Sequence, residues 1–460
     1  MATTNTDRPA PTATTPRTTA SSARRGDPLH HPSAAARLAA LNGEGALDVL
    51  GRAALLEAEG RTVAQLAIGE PQFAVAPHVV ETAIRALRDG DARYGPPAGI
   101  APLRGAIAAA LGTRHVDASA DDVIVTPGAK PMLLYAFLAT VEPGTEVLVP
   151  DPGFPIYPSL TRFAGGAPIG YRLDPARSFA IDVADVAARI TPRTRVLVLN
   201  APHNPTGGSV DARTLEELAN LVLRHDLLVI SDEIYSRIAY GDERRIACGD
   251  ECRIACGGDA TPSIAALPGL RDRTILVDGF SKAYAMTGWR LGYGLVPRWL
   301  AERITTLAVN GHTCTPAFIQ RAGVAALTGP QDTVTAMVGE LHRRRDQVVG
   351  ALRAIPGVRC AAPCGAFYAF PDVSDALART GLTAPQLAHR LLEEHGVALL
   401  PGNGFGAAGA SHLRISFAGT ADAVRDGLTR LASGLAAISG TDTSERRPAP
   451  ASPNAPRTRA

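Results

Sequence analysis

The stretch TILVDGFSKAYAMTGWRLGY, residues 274–293, sets the reading of this chain. Its opening residues, Thr274 to Val277, are β-branched or apolar, and the pattern then breaks at a Gly-Phe-Ser-Lys turn, so a buried strand ends just before Lys282. A strand end holds an amine rigidly. Ser281 and Arg290 flank that amine with a hydroxyl and a fork of donors suited to a phosphate dianion. A lysine beside a phosphate clamp points to a phosphorylated aldehyde as the ligand. Taken alone, the same segment also reads as a polar turn with an ordinary surface lysine.

The rest of the sequence weighs against that plainer reading. Of 46 Lys and Arg residues, only Lys130 and Lys282 are lysines. Ordinary positive charge has gone to arginine, so a retained lysine is enriched for work a guanidinium cannot do, such as forming a Schiff base. The net charge is +2. No basic run interleaved with aromatics is present, which removes the electrostatic footprint of a nucleic-acid binder. No stretch reaches the roughly 18 apolar residues of a membrane span. Six cysteines in 460 residues do not suggest a disulfide scaffold, and no apolar signal core precedes the folded part. Small-molecule substrates and a reducing cytoplasm are the expectation.

Working outward from Lys282, similar apolar runs recur: DVIVT at 122–126, EVLVP at 146–150, RVLVLN at 195–200 and LLVISD at 227–232. They alternate with Ala- and Leu-rich helical patterns. Runs apolar on both faces imply a mainly parallel sheet covered by helices, hence an α/β fold with ligands at the carboxyl ends of the strands. After about Asn310 long helices take over, followed by GAFYAF at 365–370 and HLRISF at 412–417, which suggests a smaller α+β unit. The expected organisation is a disordered tail at 1–33, an N-terminal arm and part of the small unit at 34–76, a large ligand-binding unit at 77–310, a small C-terminal unit at 311–438 and a second tail at 439–460. A tandem octamer, ERRIACGD then ECRIACGG, fills 243–258 and gathers Cys248, Cys252 and Cys256 at four-residue spacing. Zinc and iron-sulfur sites use tighter pairs, so this reads as a duplicated surface loop with no metal.

Polar clusters follow the strand runs. SDEIY at 231–235 puts Asp232 at a strand end, where a carboxylate keeps a pyridine nitrogen protonated, and Tyr235 beyond it, a donor for a phenolic oxygen. Asp at a strand end is also a common cap. NAPHNPTGG at 200–208 is a tight turn whose Asn204 offers donors and acceptors together. TPGAKP at 126–131 leads into a helix with Pro131 near its start, leaving backbone amides at Ala129 and Lys130 for phosphate.

In this order the segments resemble class I aminotransferases, the aspartate aminotransferase relatives of the fold-type I pyridoxal 5'-phosphate (PLP) enzymes, from about Leu66 to Phe417. LAIGEP at 66–71 is similar to that family's substrate-carboxylate loop, at Gly69. RYGPPAGIAPLR at 93–104 is similar to the segment whose tyrosine, here Tyr94, reaches the neighbouring subunit's cofactor. PGFPIYP at 152–158 matches the segment whose aromatic stacks on the pyridine ring, here Phe154, and HLRISF matches the carboxylate-binding arginine, here Arg414. The resemblance implies PLP held as an aldimine by Lys282, which then shuttles the proton. It implies Asp232 at the pyridine nitrogen, and Tyr235 and Asn204 at the ring oxygen. Phosphate is implied at Ser281, Arg290, Ala129 and Lys130, and the substrate α-carboxylate at Arg414, Asn204 and Gly69. The implied activity is ping-pong amino transfer from an amino acid to a 2-oxo acid by a homodimer.

This sequence departs from the family pattern at Gln72, at Phe154 and at the octamer loop, and no second carboxylate-binding arginine can be assigned, so aspartate is not implied as the substrate. The same catalytic set also serves lyase, cyclase or oxidase chemistry, which stands as the alternative. A PLP-sensing transcription regulator would need a DNA-binding module that some thirty Thr- and Pro-rich residues cannot form. GNGFG at 402–406 lacks the spacing of a nicotinamide fingerprint.

Overall fold

The computed structural model describes residues 35–41, 45–240 and 260–440. The tail read at 1–33, all but the first two residues of the tail read at 439–460, and the octamer repeat lie outside the described residues.

Each apolar run quoted above forms a strand of one eight-stranded sheet. In chain order, with β1 (Ala64–Gln65) belonging elsewhere, its strands are β2 (Val123–Thr126), β3 (Glu146–Asp151), β4 (Ala167–Asp174), β5 (Ala180–Ile181), β6 (Thr194–Asn200), β7 (Leu228–Asp232), β8 (Thr274–Gly279) and β9 (Gly292–Leu295). Their spatial order is β2-β9-β8-β7-β6-β3-β4-β5. The run β8-β7-β6-β3-β4 is parallel. Side chains of β6 show why both faces had to be apolar: Val196 and Val198 join one buried cluster with Ile230 and Val277, while Leu197 and Leu199 join another with Leu148 and Val229. Helices cover each face, which is the α/β sandwich that the unbroken apolar runs require.

The sheet departs from a purely parallel one at both edges, since β5 is antiparallel to β4, and β9 is antiparallel to β2 and β8. The β9 strand, GYGL, escapes a propensity reading because two of its four residues are glycine. Packing supplies the reason for them. A Cβ on Gly292 would lie 2.5 Å from the amide nitrogen of Ala129, and one on Gly294 would lie 2.7 Å from the sulfur of Met132. The bare strand therefore lets the helix Ala129–Thr140 press its first turn onto the sheet.

A second group of strands closes over the carboxyl ends. Strand β1 pairs in parallel with β11 (Val397–Ala398). Strands β10 (Tyr368–Ala369) and β12 (Leu400–Pro401) flank β13 (Leu413–Ser416) in antiparallel pairs. Their core gathers Leu66, Phe367, Tyr368, Leu413, Ile415 and Phe417 with the helices Asp332–Arg353 and Ala421–Ile438, and Tyr235 and Ile238 from beyond β7 reach into it. No described helix is long and apolar enough to cross a membrane. Among the described residues, Cys314 and Cys360 are free thiols.

Candidate active site

Strand order reverses between β3 and β6, and the carboxyl ends of β6, β7 and β8 open into a cavity of about 450 Å³. Open α/β sheets bind ligands at such a switch point. Gly69, Ala129, Lys130, Phe154, Asn204, Asp232, Tyr235, Ser281, Lys282, Arg290 and Arg414 all line this cavity, although they are spread over some 345 residues of sequence. Tyr94 does not. It lies outside the cavity of its own chain with 89% of its surface exposed.

Lys282 follows β8 and is half-buried. Its Nζ donates to the carbonyl of Gly69 at 2.7 Å. Burial pulls the ammonium down to about 8, against a partial upward pull from Glu70, while Arg414, Lys130 and Arg290 reinforce the fall. The amine is thus partly neutral near physiological pH, as a nucleophile must be. Uptake of PLP by the unloaded protein is accordingly expected to speed up through about pH 8 and level off above it, whereas an ordinary lysine would continue to about 10.4. Stopped-flow absorbance across pH 6–11 checks this, and a rate still climbing at pH 10 would contradict it.

Asp232 ends β7, opposite Asn200 at the end of β6. Only 4% of its surface is exposed, and burial raises its carboxyl to about 6. The hydroxyl of Tyr157 donates to Oδ2 at 2.8 Å and the Ile234 amide donates to Oδ1 at 3.3 Å, both favouring the charged form. Asn200 splints the same region: its Nδ2 donates to the Asp232 carbonyl at 2.9 Å, and its Oδ1 accepts the amide of Asn204 at 2.9 Å. Asn204 in turn accepts Nη1 of Arg414 at 3.1 Å. The Arg414 guanidinium is sandwiched between the rings of Tyr368 and Phe405, at 4.5 and 5.0 Å, and donates Nη2 to the Ala67 carbonyl. Such a sandwich fixes a fork of donors for a carboxylate.

The phosphate-type end is built around Gly128, whose φ of 92° few other residues adopt, at the head of the helix Ala129–Thr140. A Cβ there would lie 2.3 Å from Nη2 of Arg290, so the guanidinium sits against the helix N-terminus. Free amides, a helix dipole and Arg290 together favour a dianion. Lys130 brings its side chain as well as its amide, with Nζ 6.0 Å from the centre of the Phe154 ring. The Tyr235 hydroxyl shares a 2.8 Å hydrogen bond with that of Tyr368, and burial pushes it well above the usual phenol range.

Sequence reasoning passed over Tyr157, Tyr368, Asn200, Glu70 and Thr287, all of which line the cavity. Tyr157, Asn200, Glu70 and Thr287 lie inside quoted motifs within four residues of assigned positions, and Tyr368 lies in GAFYAF, which holds no assigned position; nothing in the sequence states which of two neighbouring polar groups faces the cavity. Tyr368 also explains Gly69, since a Cβ there would fall 1.9 Å from the Tyr368 hydroxyl. Gly69→Ala is expected to displace Tyr368 and break its bond to Tyr235, raising the amino-acid KM about tenfold or more and costing roughly 1–3 kcal/mol of stability. Steady-state kinetics and thermal melting measure both, and a wild-type KM would show that the tyrosine moves freely.

Comparison with known proteins gives the family. The family model "Aminotransferase class I and II" matches residues 61–431. The chain is 34% identical to the aspartate aminotransferase of Geobacillus stearothermophilus, over 86% of this chain and 97% of that one. It is also 34% identical to aromatic-amino-acid aminotransferase 2 of Thermococcus litoralis, over 80% and 90% of the two chains. Among solved structures, the alanine aminotransferase of Pyrococcus furiosus superposes with a TM-score of 0.79 at 32% identity, covering 88% of this chain and 99% of that one. The named amino acids differ from one relative to the next while the fold and the transferase label do not, and the chain belongs to the class I and II aminotransferases.

Proposed function

We propose that the protein is a PLP-dependent enzyme that moves an amino group from an amino acid to a 2-oxo acid by a ping-pong sequence, with Lys282 as the covalent anchor and proton carrier. The observation that supports this best is the sharing of one cavity by a depressed-pKa lysine, a buried carboxylate and an arginine set on a helix N-terminus. These groups fit PLP by the chemistry of the donor set. Lys282 matches its aldehyde, Asp232 its pyridine nitrogen, Phe154 its ring face, and Tyr235 and Asn204 its phenolic oxygen. Ser281, Arg290 and the amides of Ala129 and Lys130 match its phosphate. When bound, PLP supplies an electron sink next to the substrate α-carbon.

The side chains do the rest. Arg414, oriented by Asn204, and the amide of Gly69 hold the α-carboxylate, which turns the α-hydrogen toward Lys282. Lys282 Nζ, with an amine near neutrality, removes that proton and returns it to the neighbouring position. Tyr157 keeps Asp232 ionised, so that the charge on the pyridine nitrogen is retained. The exposed Tyr94 fits a role in a neighbouring subunit's cavity, so the active unit is proposed to be a homodimer, and a catalytically active monomer in sedimentation would refute it. A cytoplasmic location is proposed from the overall cysteine usage.

The test is the half-reaction: PLP-loaded protein mixed with single amino acids and no oxo acid. Amino transfer is expected to convert the cofactor's absorbance to that of pyridoxamine phosphate and to release one equivalent of oxo acid. Repeated turnover without an acceptor would instead favour the lyase or oxidase chemistry.

A further inference from the structure

Two hydrogen bonds join the Gly69–Glu70 loop to the loop that follows β8 at the cavity mouth. The first runs from Lys282 Nζ to the Gly69 carbonyl. In the second, the Thr287 hydroxyl donates to a carboxylate oxygen of Glu70. The Gly69–Glu70 loop belongs to the small side, because Leu66 is bonded to Ala398 and Ser416, and Gln72 donates its amide to Ala418. Thr287 belongs to the large side, in the connection between β8 and β9. Its carbonyl accepts Nη1 of Arg290 at 2.7 Å, and Arg290 itself stands at a φ of 53°. One residue therefore touches the substrate loop through its side chain and the phosphate clamp through its backbone.

We infer that Thr287 is a positioning residue that ties the substrate-carboxylate loop to the cofactor-binding loop. The inference rests on the functional reading above, in which Gly69 and Arg414 take the α-carboxylate and Arg290 takes the phosphate. Covalent use of the Lys282 nitrogen would leave it at most one N–H in place of three, which weakens its tie to Gly69. The Thr287–Glu70 bond would then carry a larger share of the registration of the two loops. Glu70 is exposed, so the bond acts at a wet edge and its worth lies near the ordinary net value of a hydrogen bond.

The test compares wild-type, Thr287→Val and Thr287→Ser proteins. Valine keeps the shape and the backbone carbonyl while deleting the donor, and serine restores the donor. Two quantities are read: the PLP dissociation constant by absorbance titration of unloaded protein, and the amino-acid concentration dependence of the half-reaction. Thr287→Val is expected to raise the half-saturating amino-acid concentration about threefold to tenfold, with an unchanged PLP dissociation constant and with recovery in Thr287→Ser. A wild-type concentration dependence in Thr287→Val overturns the inference alone. Equal losses in PLP and amino-acid binding that serine does not repair also overturn it, because they mark a structural defect. A wild-type protein that takes no PLP, or gives no half-reaction, overturns the functional reading as well, and that outcome is visible before any variant is compared.

Discussion

Lys282→Ala is expected to abolish amino transfer, and the fold should survive it. Loss of the proton carrier alone removes about 10²–10⁴ in rate, and loss of the covalent anchor adds to that. The structural cost is small because the side chain makes one hydrogen bond, to Gly69, and burial already works against its charge. The linkage has a definite sign. The folded-state pKa of about 8 lies below the ordinary lysine value of 10.5, so the native protein binds fewer protons than the unfolded one between those pH values. Stability from this group therefore rises with pH across that window, and at pH 7 the buried ammonium is a burden that alanine removes. The expected result is an inactive protein melting at or above the wild-type temperature. Lys282→Arg separates charge from nucleophilicity, since it keeps a cation but offers no amine, and it should be equally inactive. Retained turnover in either variant would remove Lys282 from the chemistry.

Asp232→Asn should show a similar division between activity and stability, for a different reason. Burial raises the native carboxyl from the ordinary 3.8 to about 6. Between about pH 4 and 6 the folded state binds more protons than the unfolded one, so this group's contribution falls as pH rises through that window and stays unfavourable above it. Asparagine fills the same space without the charge and still accepts from the Tyr157 hydroxyl. The unloaded variant is expected to gain on the order of 1–3 kcal/mol at pH 7, and to lose that advantage below pH 4. Its activity should fall by at least about 10²-fold, because nothing then holds the pyridine nitrogen protonated. Thermal melts of unloaded protein at pH 4 and pH 7, set beside initial rates, give both numbers. An Asp232→Asn protein that is less stable at both pH values would show that the hydrogen bonds of Asp232 outweigh its burial.

The parallel half of the large sheet was legible because burial on two faces leaves a continuous apolar run, as in RVLVLN and LLVISD, that no exposed segment tolerates. The chemistry was legible for a related reason. Asp232 and Lys282 each stand at the point where such a run ends, and that is where the cavity opens. What stayed hidden was set by contacts between distant segments. Gly292 and Gly294 read as strand breakers until the helix at Ala129 is laid against them. Gly69 reads as part of a turn until Tyr368 takes the place of its missing side chain. Tyr157 reads as one aromatic among several, and only the fold aims its hydroxyl at Asp232. Local pattern reports the burial of a segment and stays silent about its partner across some three hundred residues.

That separation matters during synthesis. Ala64 pairs with Val397, so a ribosome adds about 330 residues before the first strand finds its neighbour. At about 5–20 residues per second, the emerging chain carries β1 for roughly 20–60 seconds before its paired strand exists. The eight-stranded sheet, complete once Leu295 has been made, has most of its partners long before. A nascent or truncated polypeptide lacking β11 and β13 would therefore own the amine of Lys282 and the carboxylate of Asp232 while missing Arg414 and a seated Gly69. On the function proposed above, such a fragment would hold the groups assigned to the cofactor without the arginine assigned to the substrate, so the cavity is completed only when the last quarter of the chain has arrived.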